Sequence, residues 1–145
     1  MKVLVKNVEL YATPIGGVIE LVGEKHRLRL MGASPDAFFG LTLAMGIEQC
    51  HCHGENAEDK CADCSGETDD RMNLTQAIQS LANGTKVEYV YINGVDQKNY
   101  VAEIRINGET KKIVPSVGVF IAKALNAPIY FNSELAQNDQ SQMIA

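Results

Sequence analysis

Up to Leu30 the apolar residues fall mainly on alternate positions, which is the period of a strand half-buried in a sheet. In Lys2 to Tyr11, Val3 and Val5 occupy odd positions while Val8 and Leu10 occupy even ones, so the phase slips by one residue near Lys6-Asn7. A one-residue slip inside a two-residue period predicts a bulge and a bend there. Ile15 to Val22 follows as a second strand, weakened at its start by Gly16-Gly17. His26 to Leu30 is the third, with His26, Leu28 and Leu30 on one face and Lys25, Arg27 and Arg29 on the other.

The period then changes. Ser34-Pro35-Asp36 is a helix start: Ser accepts hydrogen bonds from free backbone N–H groups, Pro suits the first helical position, and Asp complements the positive end of the dipole. Phe38, Leu41 and Met45 recur at helical spacing, and the helix fades around Gly46 to Gln49. A second, short helix is expected with Asn73 or Thr75 as its cap, Leu74, Ile78 and Leu81 on one face, and Gly84 as the left-handed residue that ends it. Val87 to Ile92, Tyr100 to Ile106 and Glu109 to Val114 read as strands, the last two joined by Asn107-Gly108, whose residue types suit a type I′ hairpin turn. Ser116 caps a third helix running to about Leu125 that is apolar nearly all round and so expected to be buried. Ile129 to Phe131 is a last strand.

The order βββα, insert, αβββαβ lacks regular βαβ alternation and predicts an α+β fold with a mainly antiparallel sheet and three helices. Residues 1–136 read as one domain, 50–72 as an insert within it and 137–145 as a polar tail. Ser34-Pro35 to Met45 and Pro115-Ser116 to Leu125 are each a Pro-started apolar helix behind three strands, an echo consistent with an internal duplication.

Composition adds where the charge lies. The 145 residues carry a net charge of −5. Seven acids (Glu55, Glu58, Asp59, Asp63, Glu67, Asp69, Asp70) and one base (Lys60) stand between Cys50 and Asp70, so this stretch alone holds −6 and the remainder +1. A body so nearly neutral does not grip nucleic acid by bulk electrostatics. With 21% charged residues and no apolar run near the roughly 18 residues that span a bilayer, the chain reads as a soluble cytoplasmic protein without a signal peptide.

All four cysteines lie in the insert, as Cys50-His51-Cys52-His53 and, after seven intervening residues, Cys61-Ala62-Asp63-Cys64. Two close cysteine pairs joined by a short polar loop suit one tetrahedral ion, and thiolates favour Zn²⁺. Structural zinc held by Cys50, Cys52, Cys61 and Cys64 is the preferred reading, with His51 or His53 replacing one sulfur of the first pair. An iron–sulfur cluster, a redox dithiol at Cys61 and Cys64, and free thiols in an acidic loop stay open, because a C-x-C pair is less diagnostic than C-x-x-C.

Three stretches resemble the bifunctional nuclease domain family, long catalogued as a domain of unknown function. Leu28 to Met45 (LRLMGASPDAFFGLTLAM) is similar to its strand, glycine turn and alanine-rich helix; Leu74 to Ile92 matches its Leu-Thr helix start and Val-rich strand; Pro115 to Phe131 (PSVGVFIAKALNAPIYF) resembles its Arg-Pro-Ser-Asp-Ala-Ile helix and Ala-Pro-Ile strand. The resemblance implies a small, often self-associating α+β domain, some members of which are credited with cleaving RNA and DNA. This chain departs at Val114 and Val117, where the family usually has Arg and Asp around Pro115-Ser116. Asp36 holds the corresponding position of the first helix.

Outside the insert only His26 remains, and Asp-x-Asp, His-Glu-x-x-His, nucleophile-elbow, phosphate-loop and dinucleotide motifs are all absent. Phosphodiester hydrolysis would need a divalent cation such as Mg²⁺ or Mn²⁺ on carboxylates from separate strands, which depends on whether Glu20, Glu48, Glu88 and Glu103 converge. Lys25, Arg27 and Arg29, at intervals of about 6.6 to 7 Å on one strand face, are the candidate contact for RNA or DNA, although a solvated edge explains them too. Tyr89, Tyr91 and Tyr100 are candidate stacking residues. Two functions follow: a divalent-metal nuclease, or a non-catalytic relative whose zinc-stapled insert serves a protein partner or a homo-oligomer.

Overall fold

The computed structural model describes residues 1–45, 72 and 74–137. Its strands are β1 (Lys2–Leu4), β2 (Asn7–Thr13), β3 (Gly16–Val22), β4 (Arg27–Ala33), β5 (Val87–Asp96), β6 (Asn99–Ile106), β7 (Glu109–Ile113) and β8 (Ile129–Asn132); the helices are α1 (Pro35–Ala44), α2 (Leu74–Leu81) and α3 (Pro115–Ala124). The class is α+β, as the alternation implied. The described residues form two sheets: a three-stranded antiparallel one, β2-β3-β4, and a mixed five-stranded one, β1-β8-β5-β6-β7, in which only the β5/β8 pair is parallel.

The phase slip at Lys6-Asn7 marks a change of sheet rather than a bulge. Val3 pairs with Phe131 in the mixed sheet, whereas Val8 pairs with Leu21 in the other, so one expected strand is two. Between them the Val5 N–H donates to the Ile129 carbonyl at 2.8 Å and the Lys6 N–H to the Val22 carbonyl at 2.7 Å, handing the backbone across without leaving these donors unpaired. The bulge lies instead in β3, between Gly17 and Ile19. There the Phe38 ring of α1 sits where a Cβ on Gly17 would be, at 2.5 Å from that position, so only glycine admits it.

Each sheet ends in a meander followed by a helix with Pro at its start: β2-β3-β4-α1 and β5-β6-β7-α3. Ser34 caps α1 as expected, its Oγ accepting from the Ala37 N–H at 3.4 Å. In α3 the cap is Val114, which offers no side-chain acceptor, and Ser116 lies inside the first turn, fully buried. Pro115 carries the fixed φ that begins a helix, so α3 starts one residue before the expected cap. The two helices touch along Gly40, where the absent Cβ makes room for the Phe120 ring.

One core joins both sheets: Ile19, Leu21, Leu28, Leu30, Leu41, Val90, Ile92, Val119 and Phe131 are all inaccessible to solvent. The α2 face differs from expectation, because Ile78 packs on the core while Leu74 and Leu81 stay exposed. A helix of two turns at the rim reaches the core only with its middle residue. Asn107 (φ +49°) and Gly108 (φ +84°) form the hairpin turn, and Gly84 (φ +85°) stands just beyond α2, both as expected. Gln97 (φ +59°) turns β5 into β6, and a 3-10 turn, Ser133–Gln137, follows β8; neither was expected. Among the described residues no helix is long and apolar enough to cross a membrane.

Candidate functional site

The basic stripe forms on the three-stranded sheet, but its charge is answered locally. Arg27 reaches Glu20 at 3.2 Å and Glu9 at 3.5 Å, and Arg29 reaches Glu20 at 3.7 Å. Register explains this, because Glu9, Glu20 and Arg29 lie side by side across β2, β3 and β4. Glu20 is buried, and its hydrogen bond raises the Arg27 pKa above the usual value, with Glu9 adding to the effect. The Tyr11 hydroxyl donates to Glu9 at 2.5 Å, which raises its own pKa. Lys25 stands outside β4, in the bend before it, so the expected run of three on one strand is a pair. His26 is half-buried, and its carbonyl accepts from the Gly23 N–H at 2.8 Å.

The mixed sheet turns a different set outward. Val90 and Ile92 enter the core, so Tyr89 and Tyr91 face away from it. Register then places Leu4, Tyr130, Tyr91, Glu103 and Lys112 in a row across all five strands, with Tyr89, Arg105 and Thr110 in the next row. The Lys2 ammonium lies over three rings, 4.7 Å from the Tyr91 centroid, 5.2 Å from Tyr89 and 5.9 Å from Tyr130. Partial burial raises the Tyr91 pKa, and Glu103 and Glu134 push it the same way. Arg105 is held at 3.1 Å by Glu88, which also accepts from the Gly108 N–H, and at 3.0 Å by Thr110.

Tyr100 is not part of this face. It points to the core, its hydroxyl finds no partner among the described residues, and burial pushes its pKa up to about 12. Tyr130 was missed by sequence reasoning, since a strand as short as Ile129 to Phe131 does not say which neighbour it joins. Its alternation with the apolar Ile129 and Phe131 was the one available signal.

An open groove of about 910 Å³ runs along β6 and β7 to the start of α3, lined by Asp96, Glu103, Lys111, Lys112, Val114 and Pro115 among others. Val114 is 52% exposed here, so the position at which the resemblance implies Arg is accessible and apolar. The candidate carboxylates do not converge: Glu20 belongs to one sheet, Glu88 and Glu103 to the other, and Glu88 is paired with Arg105. Among the described residues no three His, Cys, Asp or Glu side chains come together to hold a metal ion. Asp36 lies exposed in the first turn of α1, where it faces the positive end of the helix.

No family model and no curated protein matches the chain. Cys50, His51, Cys52, His53, Cys61 and Cys64, the expected zinc ligands, lie outside the described residues, as do Glu48 and Asn73. The described helices on either side of them in sequence, α1 and α2, pack on each other.

Proposed function

We propose that this chain is a bifunctional-nuclease-like domain that acts on RNA or DNA and carries a structural zinc site in its insert. The observation that supports it is the succession of elements. A meander and a Pro-started helix occur twice, and the two helices pack together. The donor set of the insert suits zinc: Cys50, Cys52, Cys61 and Cys64 supply four thiolates, with His51 and His53 as alternates, and a tetrahedral thiolate cage gives a short acidic segment an anchor that its own composition lacks.

A second reading is favoured by Val114 and Val117. Valine offers neither a cation for phosphate nor an oxygen for Mg²⁺ or Mn²⁺, and both arginines of the basic stripe are engaged with acids. On this reading the domain is non-catalytic, and the insert serves a protein partner or a homo-oligomer.

Incubation of labelled single-stranded RNA and DNA with the purified chain and Mg²⁺ or Mn²⁺ separates the two. The first reading expects cleavage that EDTA abolishes. Background-level cleavage, with loss of an oligomer or partner in Cys61→Ser/Cys64→Ser, supports the second. Elemental analysis beside a thiol titration tests the cage, with one zinc per chain and four protected thiols expected; no metal and four freely reacting thiols would remove it.

A further inference from the structure

The five-stranded sheet has α3 on one side and, among the described residues, no helix on the other. On that open side Tyr130 and Tyr91 are register partners on neighbouring strands, and Tyr89 precedes Tyr91 by two residues. Backbone positions so placed are about 4.8 Å apart across strands and about 7 Å apart along one, and all three side chains are only partly buried. The Lys2 ammonium lies over all three, at 4.7 to 5.9 Å, so the cluster forms one site rather than three separate contacts.

We infer that this open sheet face is a docking platform for single-stranded nucleic acid, with bases stacking on Tyr89, Tyr91 and Tyr130 and Lys2 and Lys112 meeting the backbone. The inference rests on the proposed nucleic-acid function and names the surface and the strandedness of what binds.

Glu103 lies in the same row, between Tyr91 and Lys112, and Glu134 acts on Tyr91, so the cations open to phosphate are the two lysines at the rims. Neither Lys2 nor Lys112 makes an ion pair among the described residues, and they stand at the two outer strands, one on either side of the rings. Arg105, between them, is already held by Glu88, so it adds little to phosphate binding. The arginines of the other sheet are likewise engaged. Stacking needs unpaired bases, whose faces a duplex keeps covered; every base has such a face, so the site is tolerant of sequence. Lys2 is exposed, and as a base takes its place over a ring its ammonium moves to the adjoining phosphate. Two phosphate contacts at about −0.7 each give a salt slope near −1.4, far shallower than that of a basic groove.

The test is fluorescence anisotropy of a labelled ten-nucleotide oligothymidine with the full chain in EDTA, where no cleavage is needed for binding to register. Expected are binding to the single strand, weaker binding to a duplex of equal length, a shallow salt slope, and a loss of about tenfold in each of Tyr91→Ala and Tyr130→Ala. Tyr91→Phe and Tyr130→Phe, which keep the ring and the fold, should bind as the unaltered chain does. Binding that survives both alanine variants, or that falls instead in Arg27→Glu/Arg29→Glu, would overturn the inference. So would an absence of binding, or alanine variants that change sedimentation but not oligonucleotide affinity, which would make the face a contact between copies of this chain. Failure of the nuclease reading is seen separately: ring-dependent binding without cleavage in Mg²⁺ or Mn²⁺ leaves the platform standing, whereas cleavage unaffected by the alanine variants removes the platform and leaves the nuclease.

Discussion

Gly40→Ala sets two effects of known size against each other at the seam between α1 and α3. In the interior of a helix, alanine is favoured over glycine by about 1 kcal/mol, so the bare α1 sequence gains from the change. The new Cβ would stand 2.8 Å from Cε1 of Phe120 and 3.0 Å from its Cδ1 and Cζ. Ordinary contact begins near 3.4 Å, so the ring or the helix must give by about half an ångström. Phe120 is 8% exposed and belongs to the common core, which leaves its ring no open space to enter. Overpacking of a dense core costs about 1–3 kcal/mol, and a buried ring met inside 3.0 Å falls in the upper part of that range, about 2–3 kcal/mol. The clash therefore outweighs the propensity, and a net destabilisation of about 1–2 kcal/mol is expected, seen as a lower urea midpoint at unchanged slope and a Tm lowered by about 2–8 °C. The cause is checked by a double-mutant cycle: Phe120→Leu clears the space, so Gly40→Ala/Phe120→Leu should cost less than the two single changes added, by at least 0.5 kcal/mol. A Gly40→Ala protein as stable as the unaltered chain, or strict additivity in the cycle, would refute the reasoning about the seam.

Tyr100→Phe removes a buried hydroxyl that has no partner among the described residues and should stabilise the protein by about 1 kcal/mol at pH 7 in urea unfolding. The same change alters the alkaline limb. Burial raises the phenol from 10.0 to about 12, so the stability linked to it is complete below pH 10 and drains away between pH 10 and 12, as the unfolded chain ionises first. Tyr100→Phe should lose less stability across that window, and equal losses in both proteins would count against the buried phenol. Gly108→Ala, at φ +84° with no atom within 4 Å of the new Cβ, should cost about 1 kcal/mol through backbone strain alone. Gly94→Ala, whose Cβ meets only Val101 at 3.6 Å, is the matched change in the same sheet and should be near neutral.

Features that depend on a few neighbouring residues were legible in the sequence. The Ser34 cap, the hairpin at Asn107-Gly108, the alternation of β4 and the apolar circumference of α3 each follow from φ preferences or burial periods that act over one to four residues. These sufficed for the α+β class and for the order of most elements. They failed where the deciding partner lies far along the chain. The slip at Lys6-Asn7 is the same pattern for a bulge and for a change of sheet, and only the pairing of Val3 with Phe131 and of Val8 with Leu21 tells them apart. Ser116 looks like a cap until Pro115 starts α3 ahead of it.

The candidate site divides in the same way. Alternation alone set Arg27 and Arg29 opposite Leu28 and Leu30, and Tyr89 and Tyr91 opposite Val90 and Ile92. It could not say that Glu20 would lie beside the arginines, or that Lys2 from one end of the chain and Tyr130 from the other would meet the tyrosines. Side-chain direction is a local property, set by backbone geometry one residue at a time. Which charge is neutralised and which ring gains a neighbour are properties of register between strands distant in sequence, and register is decided only when the two sheets close on their shared core.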